Sequence, residues 1–156
     1  VLDGKLGIID RNGKEIVSPK YEKIQAFIDR RARVSSDGLW GMIDWDGKEF
    51  VPVNYEKIGS FQNRKAKVIA KGKWGIIAWE GKELVPPKYD DIDNLDIGGY
   101  KIQSEGYWGI MNKDCKVLIP PKYEKIKPFV DNRAKVYLNG RWGVIDRDGN
   151  EIVMVD

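Results

Sequence analysis

Apolar and charged positions alternate along the whole chain in short bursts separated by turn residues. Ala32 and Val34 alternate with Arg31 and Arg33, Asp37-Gly38 follows, and Trp40 to Asp44 returns as a second apolar run. Two period-two runs joined by an Asp-Gly pair predict an antiparallel hairpin. The pairs Asp3-Gly4, Lys71-Gly72, Glu105-Gly106 and Asn139-Gly140 predict the same turn, each with glycine where a positive φ is easiest. A second turn at Asp10-Arg11-Asn12-Gly13, repeated at 44–47 and 146–149, leads into Glu15-Ile16-Val17 or its equivalents. Each unit therefore reads as a three-stranded meander. Proline cannot donate to a ladder, so Pro19, Pro52, Pro86-Pro87 and Pro120-Pro121 are expected to end the third strand. The Pro-x-Tyr-Glu-x-Ile segment behind them reads as a turn or extended crossover.

The meander recurs at an interval of 34 residues. Trp40-Gly41, Trp74-Gly75, Trp108-Gly109 and Trp142-Gly143 keep that phase, with Leu6-Gly7 one interval earlier. Tyr21, Tyr55, Tyr89 and Tyr123 keep it too, as do Ile24, Ile58, Ile92 and Ile126, and Phe27, Phe61, Leu95 and Phe129. The fold class that follows is all-β: a single array over residues 1–156, with repeats starting near 6, 40, 74, 108 and 142 and the last one partial. An open solenoid-like array is favoured over a small propeller-like ring, because the copies do not fill a whole number of blades and are short beside familiar propeller blades. In the tryptophan strand Trp40 and Met42 face one side while Gly41 and Ile43 face the other. The four motif tryptophans are expected as core residues, with the glycine letting an aromatic ring lie flat on the backbone.

Composition narrows the function classes. With 42% hydrophobic and 33% charged residues and a net charge of +3, the chain is too apolar for disorder and too balanced for an evident nucleic-acid binder. No apolar run approaches the length of a membrane span, and no basic-then-apolar leader opens the sequence. The first residue is Val1, which points to a processed chain or an excised fragment. A single cysteine, Cys115, excludes an internal disulfide framework. Histidine is absent, which removes the commonest general base and metal ligand. The repeated Glu15, Glu49, Glu83 and Glu151 read as an exposed strand face beside Lys14, Lys48 and Lys82. No catalytic residue, cofactor or metal site is expected, and Asp90, Asp91, Asp93 and Asp96 read as a solvated acidic loop without calcium-loop spacing.

The segments "KWGIIAWEGKELVPPKYDDI" at Lys73 to Ile92 and "RWGVIDRDGNEIV" at Arg141 to Val153 resemble the WG (KWG) repeats, a bacterial family of short β repeats. The resemblance covers essentially the whole chain as four copies and a partial fifth. Leu6 departs from it in place of tryptophan, and Cys115 in place of the second-turn glycine. It implies a fold and a protein- or glycan-recognition or scaffolding role in a larger bacterial protein. It favours the cell envelope or a secreted setting over the cytoplasm, and it carries no catalytic residue.

Two surface features depart from the plain repeat. Trp45 and Trp79 occupy a second-turn position where other copies carry Arg11, Lys113 and Arg147, so the fold itself does not demand them. Side by side, flanked by Arg11 and Lys113, they would make a sugar or peptide platform. Strand alternation also predicts an outward basic ladder of Arg31, Arg33, Lys65, Lys67, Lys101, Arg133 and Lys135, suited to an anionic polymer. A purely structural spacer is the remaining alternative.

Overall fold

A computed structural model describes residues 1–154, which form strands and turns with no helix. The chain divides into two compact units, residues 1–87 and 88–156. The first holds β1 (Leu6–Ile9), β2 (Glu15–Tyr21), β3 (Lys23–Ile24), β4 (Arg31–Ser36), β5 (Leu39–Asp44), β6 (Glu49–Tyr55), β7 (Lys57–Ile58), β8 (Lys65–Ala70), β9 (Lys73–Ala78) and β10 (Glu83–Tyr89), whose last residues cross the division. The second holds β11 (Asp91–Asn94), β12 (Tyr100–Ser104), β13 (Tyr107–Met111), β14 (Val117–Tyr123), β15 (Lys125–Ile126), β16 (Arg133–Leu138), β17 (Arg141–Asp146) and β18 (Glu151–Met154). Among the described residues, sheets form only between strands consecutive in sequence: β1 with β2, then β3 to β6, β7 to β10, β11 to β14 and β15 to β18. None closes on itself. The all-β tandem class follows as the alternation predicts.

Each full sheet carries one strand more than the meander. Its hairpin is as predicted: Ser36 pairs with Leu39 and Val34 with Gly41 around Asp37 (φ 52°) and Gly38 (φ 77°). Two successive positive φ values match the right-handed twist of the flanking strands. The extra strand comes from the crossover, where Lys23 and Ile24 pair with Ser35 and Val34. The Tyr-Glu-x-Ile segment therefore opens each sheet rather than merely linking two.

The prolines do not end the third strand. β6 runs through Pro52 to Tyr55, and its register against β5 slips twice: Trp40 faces Tyr55, Met42 faces Val51, and Ile43 faces Glu49. The extra residues bulge, so Pro52 sits where no ladder hydrogen bond is asked of it. That bulge also explains the invariant-looking glycine, and the expected aromatic ring is not involved. A Cβ on Gly41 would lie 2.8 Å from the Val53 nitrogen and closer still to the Val51 carbonyl oxygen. Gly7, Gly75 and Gly109 meet Pro19, Pro87 and Pro121 in the same way, at 2.8, 2.8 and 2.7 Å.

The core is built from small and branched side chains plus tyrosine. One cluster gathers Val17, Tyr21, Ala32, Val34 and Ile43, and a second Met42, Val51, Tyr55, Ile58, Ala66, Val68 and Ile77. In residues 88–156 the equivalents are Ile110, Ile119, Tyr123, Ile126, Ala134, Val136 and Ile145. The motif tryptophans are not fully buried as expected. Trp40, Trp74 and Trp108 are half-buried and Trp142 is 38% exposed. Both faces of the strand are buried beyond the indole, since Met42 is 6% and Ile43 0% exposed, while Trp40 and Trp108 pack along the margin of the core. Basic side chains from neighbouring strands cover two of them: Lys67 Nζ stands 5.6 Å from the Trp74 ring and Lys101 Nζ 4.2 Å from that of Trp108.

Candidate functional site

Buried tyrosines tie successive repeats together through carboxylates. The Tyr21 hydroxyl donates to Glu49 Oε2 at 3.1 Å, and the Tyr123 hydroxyl donates to Glu151 Oε1. Glu49 also accepts the Val53 N–H of the proline bulge at 3.0 Å, and Glu151 accepts from Lys122 Nζ at 2.7 Å. Burial, reinforced by the glutamate, pushes the Tyr21 phenol up to about 12 and raises that of Tyr123 further. Burial and then Glu83 raise Tyr55 likewise. Glu15, Glu49, Glu83 and Glu151 are exposed at the starts of their strands, and Glu49 and Glu151 serve there as inter-repeat acceptors, Glu151 for Lys122 as well as Tyr123. A tyrosine lying 28 residues before a glutamate, as at Tyr21, Tyr55 and Tyr123 but not Tyr89, is the sequence signal for this pairing, legible only once strand register is known.

A second set of carboxylates closes the hairpins. Glu22, Glu56, Asp90 and Glu124 each accept a backbone N–H from the following first turn: Asp37, Gly72, Glu105 and Asn139, at 2.8 to 3.1 Å. Asp90 is thus part of the repeat frame. Asp91 accepts the Ile92 N–H, while Asp93 and Asp96 line a cleft of about 350 Å³ with Lys101, Lys127 and Phe129. Among the described residues no group of three or more acidic, cysteine or histidine side chains is placed to hold a metal ion.

The two additional tryptophans lie in residues 1–87, each edge-on to a phenylalanine. Trp45 meets Phe27 with centroids 5.0 Å apart and planes at 77°, and Trp79 meets Phe61 at 5.1 Å and 81°. Their environments then diverge. Trp79 is half-buried beneath the Arg31 guanidinium, whose Cζ stands 3.9 Å from its ring and 4.4 Å from that of Phe50. Trp45 is 54% exposed and borders a cleft of about 330 Å³ with Asp10, Lys14, Glu15, Ile16 and Asp46. Arg11 is exposed on the same turn as Asp10 but does not line the cleft, and Lys113 is exposed in the second unit.

The basic residues are placed unevenly. Arg31 is stacked between rings, and its buried Nη1 has no hydrogen-bond partner. Burial lowers its pKa, with Arg64 acting the same way and Glu80, Asp29 and Asp44 opposing. Arg33 donates to the Ile58 and Gly59 carbonyls, the latter at 2.8 Å. Lys65, Lys67 and Lys101 are half-buried, while Arg133 and Lys135 on β16 are exposed. Arg31, Arg33, Gln25, Ser60, Phe61 and Trp79 line a further cleft of about 290 Å³.

Against known proteins, the WG containing repeat family matches residues 7–40, 40–74, 74–100 and 108–142. No curated protein sequence matches. Among solved structures, KlHsv2 with loop 6CD replaced by a Gly-Ser linker is 10% identical over 80% of this chain and 48% of its own, with a TM-score of 0.43. PorZ, a bacterial surface component of the type-IX secretion system of Porphyromonas gingivalis, is 10% identical over 96% of this chain and 24% of its own, with a TM-score of 0.36. The chain thus spans about half the first structure's length and a quarter of the second's. No helix among the described residues is long and apolar enough to cross a membrane. Four matched copies covering most of the sequence make this chain a member of the WG containing repeat family.

Proposed function

We propose that this repeat module is a non-catalytic recognition unit that contacts a protein or glycan through the Trp45 face. One observation carries the reading: a large indole is left 54% exposed beside a polar cleft, at a turn position where other copies hold charged, solvated side chains. Flat aromatics give large contact area at little conformational-entropy cost. The repeat frame accounts for the carboxylates that an enzyme reading would need, since Glu49 and Glu151 are engaged with tyrosines and Glu22, Glu56 and Glu124 with turn N–H groups. The test is a screen of the purified chain against glycan and peptide arrays, with Trp45→Ala beside the parent. Loss of the bound species with an unchanged melting temperature supports the reading. Binding that survives the substitution overturns it.

The anionic-polymer reading rests on the exposed Arg133 and Lys135. It has less support, because Arg31 and Arg33 are spent on rings and carbonyls of the same chain. Binding that ignores both added salt and Lys135→Glu removes it.

A further inference from the structure

Two of the clefts are one groove of the frame in two copies. In residues 1–87 it is walled by Gln25, Ile28 and Asp29 of one repeat and by Ser60 and Phe61 of the next. In residues 88–156 the walls are Asp93 and Asp96, then Lys127 and Phe129. The volumes are alike, about 290 and 350 Å³, and the two linings share the phases of Phe61 with Phe129 and of Arg33 with Lys101. The charge differs. Asp93 and Asp96 stand where the first groove has Gln25 and Ile28, and Gly99 stands where it has Arg31. The first groove thus sets two guanidinium groups against the Asp29 carboxylate, and the second sets two ammonium groups against two carboxylates.

Strand alternation puts Arg31 and Arg33 on one face of β4, opposite the buried Ala32 and Val34. Their own chain fixes both planes: Arg31 lies against the Phe50 and Trp79 rings, and Arg33 donates to the Ile58 and Gly59 carbonyls. A guanidinium carries five N–H donors, more than the two carbonyls at Arg33 use. At Arg31 the buried Nη1 has no acceptor, and burial together with Arg64 outweighs Glu80, Asp29 and Asp44, so its charge is held at a cost. An anion in the groove would offset that cost. Ile28, Met42 and Phe61 leave the rest of the lining apolar, and Asp29 opposes a second negative charge. We propose that this groove is a carboxylate site, in which Arg31 and Arg33 hold an organic monocarboxylate whose apolar body lies against Ile28 and Phe61. Two guanidinium groups fixed in one groove suit a single carboxylate better than a polymer, which needs solvated rungs on every repeat. The site shares no lining residue with the Trp45 cleft, so it adds to the recognition role and does not depend on it.

The experiment titrates the ¹⁵N-labelled chain with phenylacetate and with phenylacetamide, which keeps the body and loses the charge. The readouts are the Trp79 indole N–H and the Asp29 and Ser60 amides. Phenylacetate is expected to shift all three saturably, with the amide about tenfold weaker and added salt weakening phenylacetate alone. N-acetylphenylalanine presents its carboxylate as a chain terminus does. Saturation by either acid upholds the site, and the tighter of the two tells a free acid from a polypeptide end. Gln25→Asp with Ile28→Asp gives the first groove the rim of the second and should weaken phenylacetate about fivefold or more. Both positions are exposed, and Asp93 and Asp96 occupy the same phases, so the melting temperature should stay unchanged. Equal shifts with acid and amide, undiminished binding by the double variant, or no saturable shift at all overturn the inference. Inorganic phosphate binding more tightly than phenylacetate overturns it as well, and so do shifts of equal size at the Asp96 and Phe129 amides of the second groove.

Discussion

Two copies of one site, a single repeat apart, differ chiefly in what lies over the indole. At Trp79 the ring is roofed by Arg31 and floored by Phe61. At Trp45 the same T-shaped partner is present, the roof is missing, and half of the ring meets solvent. Much of the backbone frame is shared: both rings sit in a turn closed by the glycine N–H, Gly47 to the Asp44 carbonyl and Gly81 to the Ala78 carbonyl, and the same bulge-and-glycine contact lies behind both strands. The Asp44 carboxylate adds a cap that Ala78 lacks. A repeat protein of this kind separates frame from surface. The frame is held by backbone geometry that every copy reproduces, while the surface varies one side chain at a time. In residues 88–156 the same turn position holds Lys113, which is exposed, and Arg147, which donates to Asn132 Oδ1 at 3.2 Å. Neither copy offers an aromatic face there.

If the frame is common, breaking it should cost the same in every copy. Gly41→Ala, Gly75→Ala and Gly109→Ala each drive a methyl into the backbone of a proline bulge, with no flexible side chain to give way. Each should lose more than about 3 kcal/mol of unfolding free energy, or fail to fold. Chemical denaturation of the three variants checks this, and one copy that tolerates alanine would show that the frames are not equivalent.

The two tryptophans should then part company. Trp79→Ala removes the ring that carries the desolvated Arg31, so about 2 kcal/mol should be lost. Trp45→Ala gives up an edge contact with Phe27 and little burial, so the loss should stay below about 1 kcal/mol. Equal shifts in melting temperature would break the comparison, because they would mean that Arg31 adds nothing to the later copy.

The alternation around Ala32 and Val34, the Asp-Gly turns and the 34-residue register were legible because strand periodicity and turn chemistry are local. The failures share a physical cause. Proline signals a strand end locally, but a bulge lets Pro52 remain inside β6, and a bulge depends on register, which no local pattern encodes. Gly41 stands out in the sequence but its reason does not, since the atoms it admits are 10 to 12 residues away. One apolar ring per repeat points to the core, yet the tyrosines and valines fill it and leave the indoles half-buried or, at Trp142, exposed. Trp45 and Trp79 stood out because they break the repeat. Their unequal environments did not, since the difference lies in Arg31, a residue read as a solvated rung.

The tyrosine–glutamate ties offer a smaller contrast. Tyr21→Phe removes a hydrogen bond to a carboxylate that also serves the proline bulge, and should cost about 1 kcal/mol at neutral pH. The sign with pH follows from the raised phenol. Its folded value of about 12 lies above the ordinary 10, so the contribution is whole below pH 10 and fades as pH rises from 10 to 12. Parent and Tyr21→Phe should therefore converge in stability across that window. A gap that stays constant from pH 8 to 12 would show that the hydroxyl contributes by packing alone.

The fourth copy lacks the tie. Val117 stands at the phase of Glu49, Glu83 and Glu151, and is 39% exposed where they receive or face a buried phenol. Val117→Glu should supply Tyr89 with the acceptor that Tyr21 and Tyr123 already have. The gain should be small, about 0.5 kcal/mol, because a half-exposed carboxylate is screened and its rotamers must be fixed. Its pH dependence has the sign seen at Glu151, where the Lys122 and Tyr123 hydrogen bonds hold the carboxyl below its ordinary 4.5. A depressed carboxylate contributes above its unfolded value and loses that contribution as pH falls through the folded one. The variant should therefore unfold slightly later than the parent at pH 7 and no later at pH 3, as thermal melts at the two pH values would show. An equal gain at both would mean that replacing an exposed valine, rather than completing the tie, is what stabilises the chain.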